Sequence, residues 1–343
     1  MIEENKSLQS LNTFGIDAVT RYYTQVNSVS ELQQLMQSPV YRDNKKLIIG
    51  GGSNLLFTQN FSGLTIHNCI KGIAITERNA NTVIVKAGAG EVWHQFVLWC
   101  IEQNFAGIEN LSLIPGSVGA SPMQNIGAYG VEIKDVFYQL EAVDLQTGNI
   151  EVFTKTDCAF GYRESVFKHA LKDRYMIVSV SFMLTDLNAP NTVYTCKTAY
   201  GDIKNTLSEM QVYEPTIKDV SRAVCKIRST KLPNPAELGN AGSFFKNPSI
   251  SSQAFEKLVQ QYPVMPSFVQ PDQTYKIPAG WLIEQCGWKG KVVGNTGAHK
   301  MQALVLVNYG NATGREVLDL ANAIQQSVRD KFGIEITPEV NVL

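Results

Sequence analysis

The chain has 343 residues, 44% of them hydrophobic, and a formal net charge of −1 at pH 7. This near-neutral charge gives no indication of a nucleic-acid partner or of an anionic membrane surface. The first residues lack the apolar core of a signal peptide, and apolar runs such as residues 303–307 are too short to span a bilayer. We therefore expect a cytoplasmic globular protein of two or three domains.

The first 184 residues alternate irregularly between helical and extended patterns. Residues Ser28 to Glu31 resemble a capping box that opens a short helix, which Pro39 is expected to end. A second helix is predicted at 92–101, where the apolar residues share one helical face. Short strands are predicted at 47–49, 64–66, 83–87, 137–145, 150–154 and 175–184.

The rest of the chain is predicted to contain a linker, three helices and a terminal strand. Residues 185–214 are polar and irregular, which indicates a loop and linker. Helices are predicted at 216–227, 255–261 and 315–332, the last closed by Gly333, followed by a terminal strand at 334–343. This mixed order predicts an α+β fold with a domain boundary between residues 200 and 230.

Cysteine and histidine are sparse and show no pattern of ligands. The six cysteines include no C-x-x-C pair, and the four histidines are isolated from one another. We therefore predict reduced, mostly buried thiols, no disulfide framework and no metal site.

Three consecutive glycines at 50–52 follow the predicted strand 47–49, and Ser53 and Asn54 come next. Glycine permits a sharp turn and the close approach of another group, so the backbone N–H groups here could cradle a diphosphate. The sequence at 50–54 matches neither G-x-G-x-x-G nor the P-loop motif. A plain turn from strand to loop is the alternative.

The segment 113–130 holds four glycines and two prolines between apolar residues. A loop of this length in a compact domain is usually functional or disordered, and the apolar residues Ile114, Val118 and Ile126 argue against disorder. We predict an ordered loop against a flat ligand. A purely structural Ω-loop is the alternative.

Three polar residues in separate short motifs are candidates for chemistry: Arg163 in 160–165, Ser243 in 240–248 and Glu339 near the end of the chain. Taken singly, each has an ordinary alternative as a surface or turn residue. G-x-S-x-G is absent, and no Ser-His-Asp set is evident. If Ser243 is catalytic, a general acid acting on a basic intermediate is the better hypothesis.

In this order, and together with Leu11–Gly15, the motifs resemble the UDP-N-acetylenolpyruvoylglucosamine reductase family of bacterial peptidoglycan synthesis. They span nearly the whole chain, and their combination is highly specific. The resemblance implies an α+β protein with an FAD-binding fold of the vanillyl-alcohol-oxidase/p-cresol-methylhydroxylase type and a smaller C-terminal α+β substrate-binding domain. It implies an FAD-binding region at 1–190, split near residue 70, a tyrosine loop and linker at 191–225, and the substrate-binding domain at 226–343.

The resemblance also assigns roles to individual residues. Ser243 corresponds to the proton donor, and Arg163 and Glu339 correspond to the residues that polarise the enolpyruvyl carboxylate. Tyr200 corresponds to a tyrosine that closes on the substrate diphosphate in one subgroup, although Ala199 stands where that subgroup usually has threonine. The implied substrate contacts are Tyr200, Lys231, Asn247 and Gln302. The implied cofactor contacts are Gly50, Gly51, Gly52, Ser53, Asn54, Pro115, Gly116, Ser117, Gly119, Ala120, Ser121, Asn125, Ile126 and Gly127.

The implied activity is reduction of the enolpyruvyl group of a UDP-sugar, with NADPH as hydride donor and FAD as cofactor. Residues 50–54 offer no histidine or cysteine as a tether, so we expect FAD to be held non-covalently. We also expect the enzyme to be a monomer. Three other readings compete with this one. They are an oxygen-using flavin oxidase acting on a sugar or alcohol, a non-catalytic flavin-binding or nucleotide-sugar-binding protein, and a serine hydrolase with His299 as the partner of Ser243.

Overall fold

The computed structural model describes residues 1–343, which form two compact units. The first unit consists of Met1–Lys6, Thr20–Gly51 and Phe61–Thr230, and the second of Ser7–Val19, Gly52–Asn60 and Lys231–Leu343. Both units are discontinuous in sequence. The chain passes from the first unit to the second between Gly51 and Gly52, within the glycine triplet. The functional division predicted from the resemblance, with boundaries after residues 190 and 225, stays a prediction.

The first unit contains two main sheets and a small hairpin. The four-stranded sheet has the order Glu3–Ser7, Val19–Val26, Phe61–Asn68, Lys46–Ile49. The second sheet has the order Ile150–Thr154, Phe137–Asp144, Tyr175–Asp186, Thr82–Gly88, Ile73–Arg78, with Phe105–Ala106 also paired to Tyr175–Asp186. The hairpin pairs Gly127–Ala128 with Val131–Glu132. The helices of this unit are Val29–Met36, Pro39–Asp43, Trp93–Glu102, Ile203–Glu209 and Ile217–Lys231.

The second unit contains shorter strands than the first. One sheet has the order Gly239–Ser243, Val305–Asn308, Thr296–Ala298, Val292–Val293, and a three-stranded sheet has the order Ser249–Ile250, Tyr275–Lys276, Phe268–Val269. Asn341–Val342 pairs in parallel with Leu55–Leu56. The helices are Ser252–Gln261, Ala279–Gln285 and Gly314–Phe332. None of the helices in the protein is both long enough and apolar enough to cross a membrane.

The core of the first unit explains why its second sheet and its central helix form. Trp93, Phe96 and Phe182 are fully buried, and their ring centres lie 5.2 to 5.9 Å apart. The strand Thr82–Gly88 contributes Val83 and Val85 to the same core. Aromatic residues of this size contribute strongly to burial, so the helix predicted from its apolar face is held against the sheet.

Three predictions of secondary structure need correction. Pro39 does not simply end the first helix, because it occupies the first turn of a second helix, Pro39–Asp43, capped by Ser38. The predicted linker contains the helix Ile203–Glu209. Of the predicted strand at 334–343, only Asn341–Val342 forms a strand, and Pro338 makes a single isolated bridge to Phe245.

The last long helix agrees with its sequence signals. Thr313 and Glu316 form a capping box at the N-terminus of Gly314–Phe332. Gly333 caps the C-terminus with φ of 65°, a left-handed conformation that glycine adopts without strain.

Candidate active site

The first unit brings two predicted cofactor segments into contact, the glycines at 50–51 and the loop that follows Pro115. A Cβ atom added to Gly50 would lie 2.2 Å from Ser117 Oγ, and one added to Gly51 would lie 2.9 Å from Gly116 Cα. Glycine is therefore needed at position 51 for the two backbones to approach this closely. The N–H groups of Gly50 and Gly51 donate no main-chain hydrogen bond outside the sheet ladders, so they suit an anionic ligand.

Main-chain hydrogen bonds hold the loop at 115–120 from the opposite side. The N–H of Trp93 donates to Gly116 O at 3.0 Å, and the N–H of Gly119 donates to Ala89 O at 2.8 Å. Ala89 directly follows a core strand, and Trp93 is the first residue of the central helix. The loop is thus fixed in place by the fold, as the hypothesis of an ordered binding loop requires.

Two residues of the predicted cofactor set use their side chains inside the protein. Asn125 is fully buried, and its Nδ2 donates to Glu132 Oε2 at 3.0 Å and to Gly161 O at 2.9 Å. Its Oδ1 accepts from the N–H of Lys134 at 3.1 Å. Ser121 is buried as well and donates to a main-chain carbonyl three residues earlier. Both side chains shape the loop, and contact with the cofactor stays a prediction for them.

Arg163 lies beside the C-terminal part of this loop. Its Nη2 donates to Gly127 O at 2.6 Å, and its guanidinium carbon lies 5.4 Å from the ring centre of Tyr162. The residue has φ of 56° and sits in a tight turn where Gly161 and Glu164 exchange main-chain hydrogen bonds. The turn therefore presents the arginine next to a predicted cofactor residue.

Tyr200 belongs to a different segment and packs against the end of the glycine-rich loop at Gly130. Its side chain is 54% exposed. A Cβ atom added to Gly130, which has φ of 77°, would lie 3.3 Å from Tyr200 Cβ. The structure thus brings the predicted substrate tyrosine against the glycine-rich loop while leaving much of its ring accessible.

Two further residues of this site, Tyr129 and Arg228, were not predicted from the sequence. Arg228 hydrogen-bonds Tyr129, and its Nε donates to Leu113 O at 3.2 Å. Burial lowers the pKa of the Arg228 guanidinium, Tyr129 opposes this shift, and the charge of Arg163 adds to it. Two neighbouring guanidinium groups favour an anionic ligand. Tyr129 lies within a motif already recognised, but nothing in the sequence signalled that this helical arginine hydrogen-bonds Tyr129 and Leu113 O.

A cavity of about 170 Å³ in the first unit adjoins the glycine contacts. Gly50, Ser117 and Gly119 form one wall, and the strand Tyr175–Asp186 contributes another part of the lining. The cavity therefore gives the predicted cofactor residues an adjoining space that could receive part of a bound molecule.

The second unit receives the chain at Gly52 and fixes it against the N-terminal motif. Gly52 has φ of 61°, and a Cβ atom there would lie 1.9 Å from Leu11 O. The N–H of Thr13 donates to Gly52 O at 3.1 Å. Gly52 therefore combines a left-handed backbone with a close approach, and both require glycine.

Ser243 and Glu339 lie on adjacent backbone segments of the second unit. Ser243 ends the strand Gly239–Ser243, and the next residue, Phe244, accepts a hydrogen bond from the N–H of Glu339 at 2.7 Å. The Nδ2 of Asn54 donates to Glu339 O at 3.1 Å. The structure thus brings together the predicted proton donor, the predicted carboxylate and one predicted cofactor residue.

The predicted substrate contacts of the second unit divide into two places. Asn247 Oδ1 accepts from the N–H of Ala279, the first residue of a short helix, at 2.9 Å. Gln302 Oε1 lies 3.0 Å from the position that a Cβ on Gly280 would take, in the first turn of the same helix. Lys231 is exposed at the C-terminal end of another helix. Asn247 and Gln302 are therefore neighbours, whereas Lys231 is held by a different element.

The donor set fits FAD. Gly50 and Gly51 form a backbone cradle that a side chain would fill, beside a cavity. Residues 20–154 also match the family described as "FAD binding domain". These findings define a flavin-dependent oxidoreductase.

Residues 234–343 match the family "UDP-N-acetylenolpyruvoylglucosamine reductase, C-terminal domain". UDP-N-acetylenolpyruvoylglucosamine reductase of Flavobacterium johnsoniae is 49% identical over 342 residues, covering 100% of this chain and 99% of that protein. The protein of the same name in Amoebophilus asiaticus is 50% identical over 342 residues, with the same coverage. The chain belongs to the UDP-N-acetylenolpyruvoylglucosamine reductase family.

A solved structure has the same fold. UDP-N-acetylenolpyruvylglucosamine reductase from Thermus caldophilus superimposes with a TM-score of 0.68 at 20% identity, covering 100% of this chain and 98% of that one. The predicted fold class, an FAD-binding fold followed by a smaller C-terminal α+β domain, is confirmed. The assignment to the subgroup with the tyrosine loop stays a prediction.

Proposed function

We propose that this protein reduces the enolpyruvyl group of UDP-N-acetylglucosamine enolpyruvate to give UDP-N-acetylmuramate, with NADPH as hydride donor. The observation that carries the proposal is the similarity to reductases of this name over 100% of the chain at 49% and 50% identity. Identity at this level over the full length leaves no separate part of the chain unaccounted for by the family.

We propose that FAD binds non-covalently against the backbone of residues 50–54 and the loop at 115–127. When bound there, FAD would supply the hydride-transfer chemistry between NADPH and the substrate. The N–H groups of Gly50 and Gly51 bind the diphosphate in this proposal, and the hydrogen bonds behind Gly116 and Gly119 keep the facing loop rigid.

Arg163 and Glu339 act on the carboxylate of the enolpyruvyl group. Addition of hydride to the terminal carbon places negative charge on the neighbouring carbon and its carboxylate. Arg163 stabilises this charge through its forked N–H donors. Glu339 holds the same carboxylate by a hydrogen bond, which requires that its own side chain carry a proton.

Ser243 donates the proton that completes the reduction. An alkyl hydroxyl is a poor acid near neutral pH, so the transfer depends on a strongly basic carbon next to the carboxylate. The main-chain hydrogen bond between Glu339 and Phe244 fixes the position of Ser243 relative to the glutamate. The proton therefore arrives at the carbon adjacent to the one that received hydride.

Tyr200, Lys231, Asn247 and Gln302 bind the UDP-sugar. A substrate with a diphosphate and a carboxylate needs cationic and hydrogen-bonding partners, and these four side chains provide both. We propose that NADPH and the sugar occupy the same pocket in turn, which agrees with a sequence in which no separate nicotinamide domain is evident. The enzyme acts as a monomer in the cytoplasm, and its six free cysteines are compatible with a reducing compartment.

The competing readings are less well supported. Relatives that cover the whole chain are named as reductases, which does not favour an oxygen-using oxidase. A non-catalytic binding protein would not need Arg163, Ser243 and Glu339 together. For a hydrolase, His299 is a poor base, because it is buried, burial lowers its pKa, and its Nδ1 has no hydrogen-bond partner to orient the ring.

The proposal is tested by following flavin absorbance without oxygen. Purified protein loaded with FAD is reduced by one equivalent of NADPH, and the UDP-enolpyruvyl sugar is then added. Rapid reoxidation in the absence of oxygen is the expected result. Flavin that stays reduced until air is admitted would support the oxidase instead, and a failure to bind FAD would overturn the role of the glycines.

A further inference from the structure

A buried polar pair, Glu109 and Asn110, has no part in the proposed chemistry. Both residues are 1% exposed and belong to the short 3-10 helix Glu109–Leu111. Buried carboxylate and amide groups are costly unless they are fully hydrogen-bonded. Their partners therefore indicate what the pair does.

Glu109 holds the start of the segment that leads to Tyr200. Its Oε1 accepts a hydrogen bond from Tyr194 Oη at 2.5 Å, and its Oε2 accepts from the N–H of Gly107 at 2.8 Å. Burial raises the pKa of the Tyr194 hydroxyl, and the charge of Glu109 raises it further. Tyr194 therefore stays protonated and remains a donor, which makes this a charge-assisted hydrogen bond.

Asn110 joins the same segment to the glycine-rich loop. Its Nδ2 donates to Lys197 O at 2.8 Å and to Tyr129 O at 3.1 Å. One amide group therefore links a carbonyl three residues before Tyr200 to a carbonyl directly before Gly130. Gly130 is also the residue against which Tyr200 packs.

The hydrogen bonds of Glu109 and Asn110 fix two points in the segment that leads to Tyr200. Tyr194 and Lys197 are held by consecutive residues of the short 3-10 helix, and the exposed Tyr200 follows Lys197 by three residues. A residue only three positions from a fixed carbonyl can be displaced only a short distance. The position of Tyr200 over the loop is therefore set by the buried pair.

We propose that Glu109, Asn110 and Tyr194 are positioning residues that hold Tyr200 where it binds the substrate. This inference rests on the proposed function. It assigns to these residues an effect on substrate binding that acts only through Tyr200. A purely structural role would instead disturb the whole unit, including cofactor binding.

The test removes one hydroxyl group with Tyr194→Phe. We expect the Kd for the UDP-enolpyruvyl sugar to rise about tenfold, as for the loss of one charge-assisted hydrogen bond. The Kd for FAD and the rate of flavin reduction at saturating NADPH are expected to stay within about twofold, because FAD binding and hydride donation are assigned to residues other than Tyr200. The matched control is Tyr213→Phe, which changes a tyrosine that is 82% exposed in the same unit.

A double-mutant cycle separates positioning from a general disturbance. If Tyr194 acts through Tyr200, adding Tyr194→Phe to Tyr200→Phe will weaken substrate binding no further. Additive effects would overturn the proposal, as would an unchanged substrate Kd in Tyr194→Phe alone. Equal losses in substrate binding, FAD binding and NADPH reduction would also overturn it.

Hydrogen exchange gives a readout that needs no substrate. Amides of residues 195–202 should exchange faster in Tyr194→Phe than in the wild type, while those of 116–120 stay protected. If Tyr194→Phe does not fold, Asn110→Ala is measured in the same way. Unchanged exchange at 195–202 in a folded variant refutes the anchoring. A wild type that is not reoxidised by the sugar refutes the proposed function separately.

Discussion

The Nδ1 atom of His94 accepts a hydrogen bond from the N–H of Leu113 at 2.9 Å. Leu113 has φ of 59°, an uncommon conformation for this residue type, and it opens the glycine-rich loop. Its carbonyl is bound by Arg228 at 3.2 Å. Two side chains from different helices therefore hold the base of the loop by both polar groups of one residue.

This arrangement predicts that stability falls as the pH is lowered below 6.5. Burial lowers the pKa of His94 from 6.5, and the nearby charge of Arg228 acts in the same direction. Protonation would replace the acceptor by a donor facing the Leu113 N–H. The unfolded chain therefore binds a proton that the folded chain resists, and the free energy of unfolding decreases with falling pH between 6.5 and the folded pKa.

The measurement is the free energy of unfolding from pH 7.5 to pH 5 for the wild type and for His94→Asn. Asparagine can keep an acceptor near Nδ1 without titrating. His67 and His299 also have a pKa lowered by burial and contribute with the same sign, so the difference between the two proteins is the relevant quantity. For one proton, the slopes of unfolding free energy against pH should differ between the two proteins by at most about 1.4 kcal/mol per pH unit. Identical slopes would contradict the prediction.

The contact between Gly51 and Gly116 predicts a loss of FAD affinity on Gly51→Ala. The new methyl group would lie 2.9 Å from backbone atoms of Gly116, so the two segments must move apart. Overpacking of this kind costs about 1–3 kcal/mol, which corresponds to a rise in the FAD Kd of about 5- to 150-fold. Fluorescence titration of the apoprotein with FAD measures the change.

Gly72→Ala is the control for this prediction. Gly72 has φ of 122° with no atom within 4 Å of an added Cβ, so alanine introduces backbone strain without a steric contact. We expect lower stability with an unchanged FAD Kd. If both variants bind FAD equally well, the backbone contact at Gly51 does not shape the cofactor site.

The sequence predicted the positions of the glycine segments because the requirement there is local. A left-handed φ or a close backbone approach can be met by glycine alone, so the residue type itself carries the information at Gly51 and Gly52. The capping box at Thr313 and the glycine at 333 are signals of the same kind. Such features are visible without knowing what lies opposite them in space.

Burial could not be predicted in the same way, because it depends on residues distant in sequence. The side chain of Asn125 is buried and donates hydrogen bonds to Gly161 O and to Glu132, which its place in the glycine-rich motif did not reveal. Arg228 resembles any arginine of an amphipathic helix until Leu113 and Tyr129 are placed against it. A polar residue in a motif therefore indicates importance without revealing whether it faces a ligand or the protein.

The helix Ile203–Glu209 was missed for a related reason. It has only seven residues and no side-chain cap, so its local signals are weak. Ile203 and Leu207 pack against Val220 and Val224 of the helix that follows. Tertiary packing rather than propensity stabilises such a short helix.

Ser243→Ala should affect only one of the two half-reactions. Flavin reduction by NADPH needs no proton from Ser243 and should stay within about twofold of the wild-type rate. Reoxidation by the UDP-enolpyruvyl sugar should slow about 10²- to 10⁴-fold, the usual contribution of a general acid. Stopped-flow absorbance without oxygen measures both rates. Ser249→Ala, which removes an exposed hydroxyl in the same unit, is the matched control.

Equal losses in the two half-reactions would remove Ser243 from the role of proton donor. A solvent isotope effect on reoxidation that persists unchanged in Ser243→Ala would have the same meaning, because the proton would then come from another group.

Arg163→Lys should separate the charge of Arg163 from its geometry. Lysine keeps the positive charge but cannot offer the forked pair of donors, nor bind Gly127 O and a carboxylate with one planar group. We expect reoxidation by the sugar to slow about 10²- to 10³-fold, comparable to the loss of one oriented donor at a developing charge. Flavin reduction by NADPH should change little. Arg222→Lys, which replaces an exposed arginine on the helix Ile217–Lys231, is the control. If Arg163→Lys reoxidises at the wild-type rate, the charge alone suffices and the forked hydrogen bonds have no catalytic part.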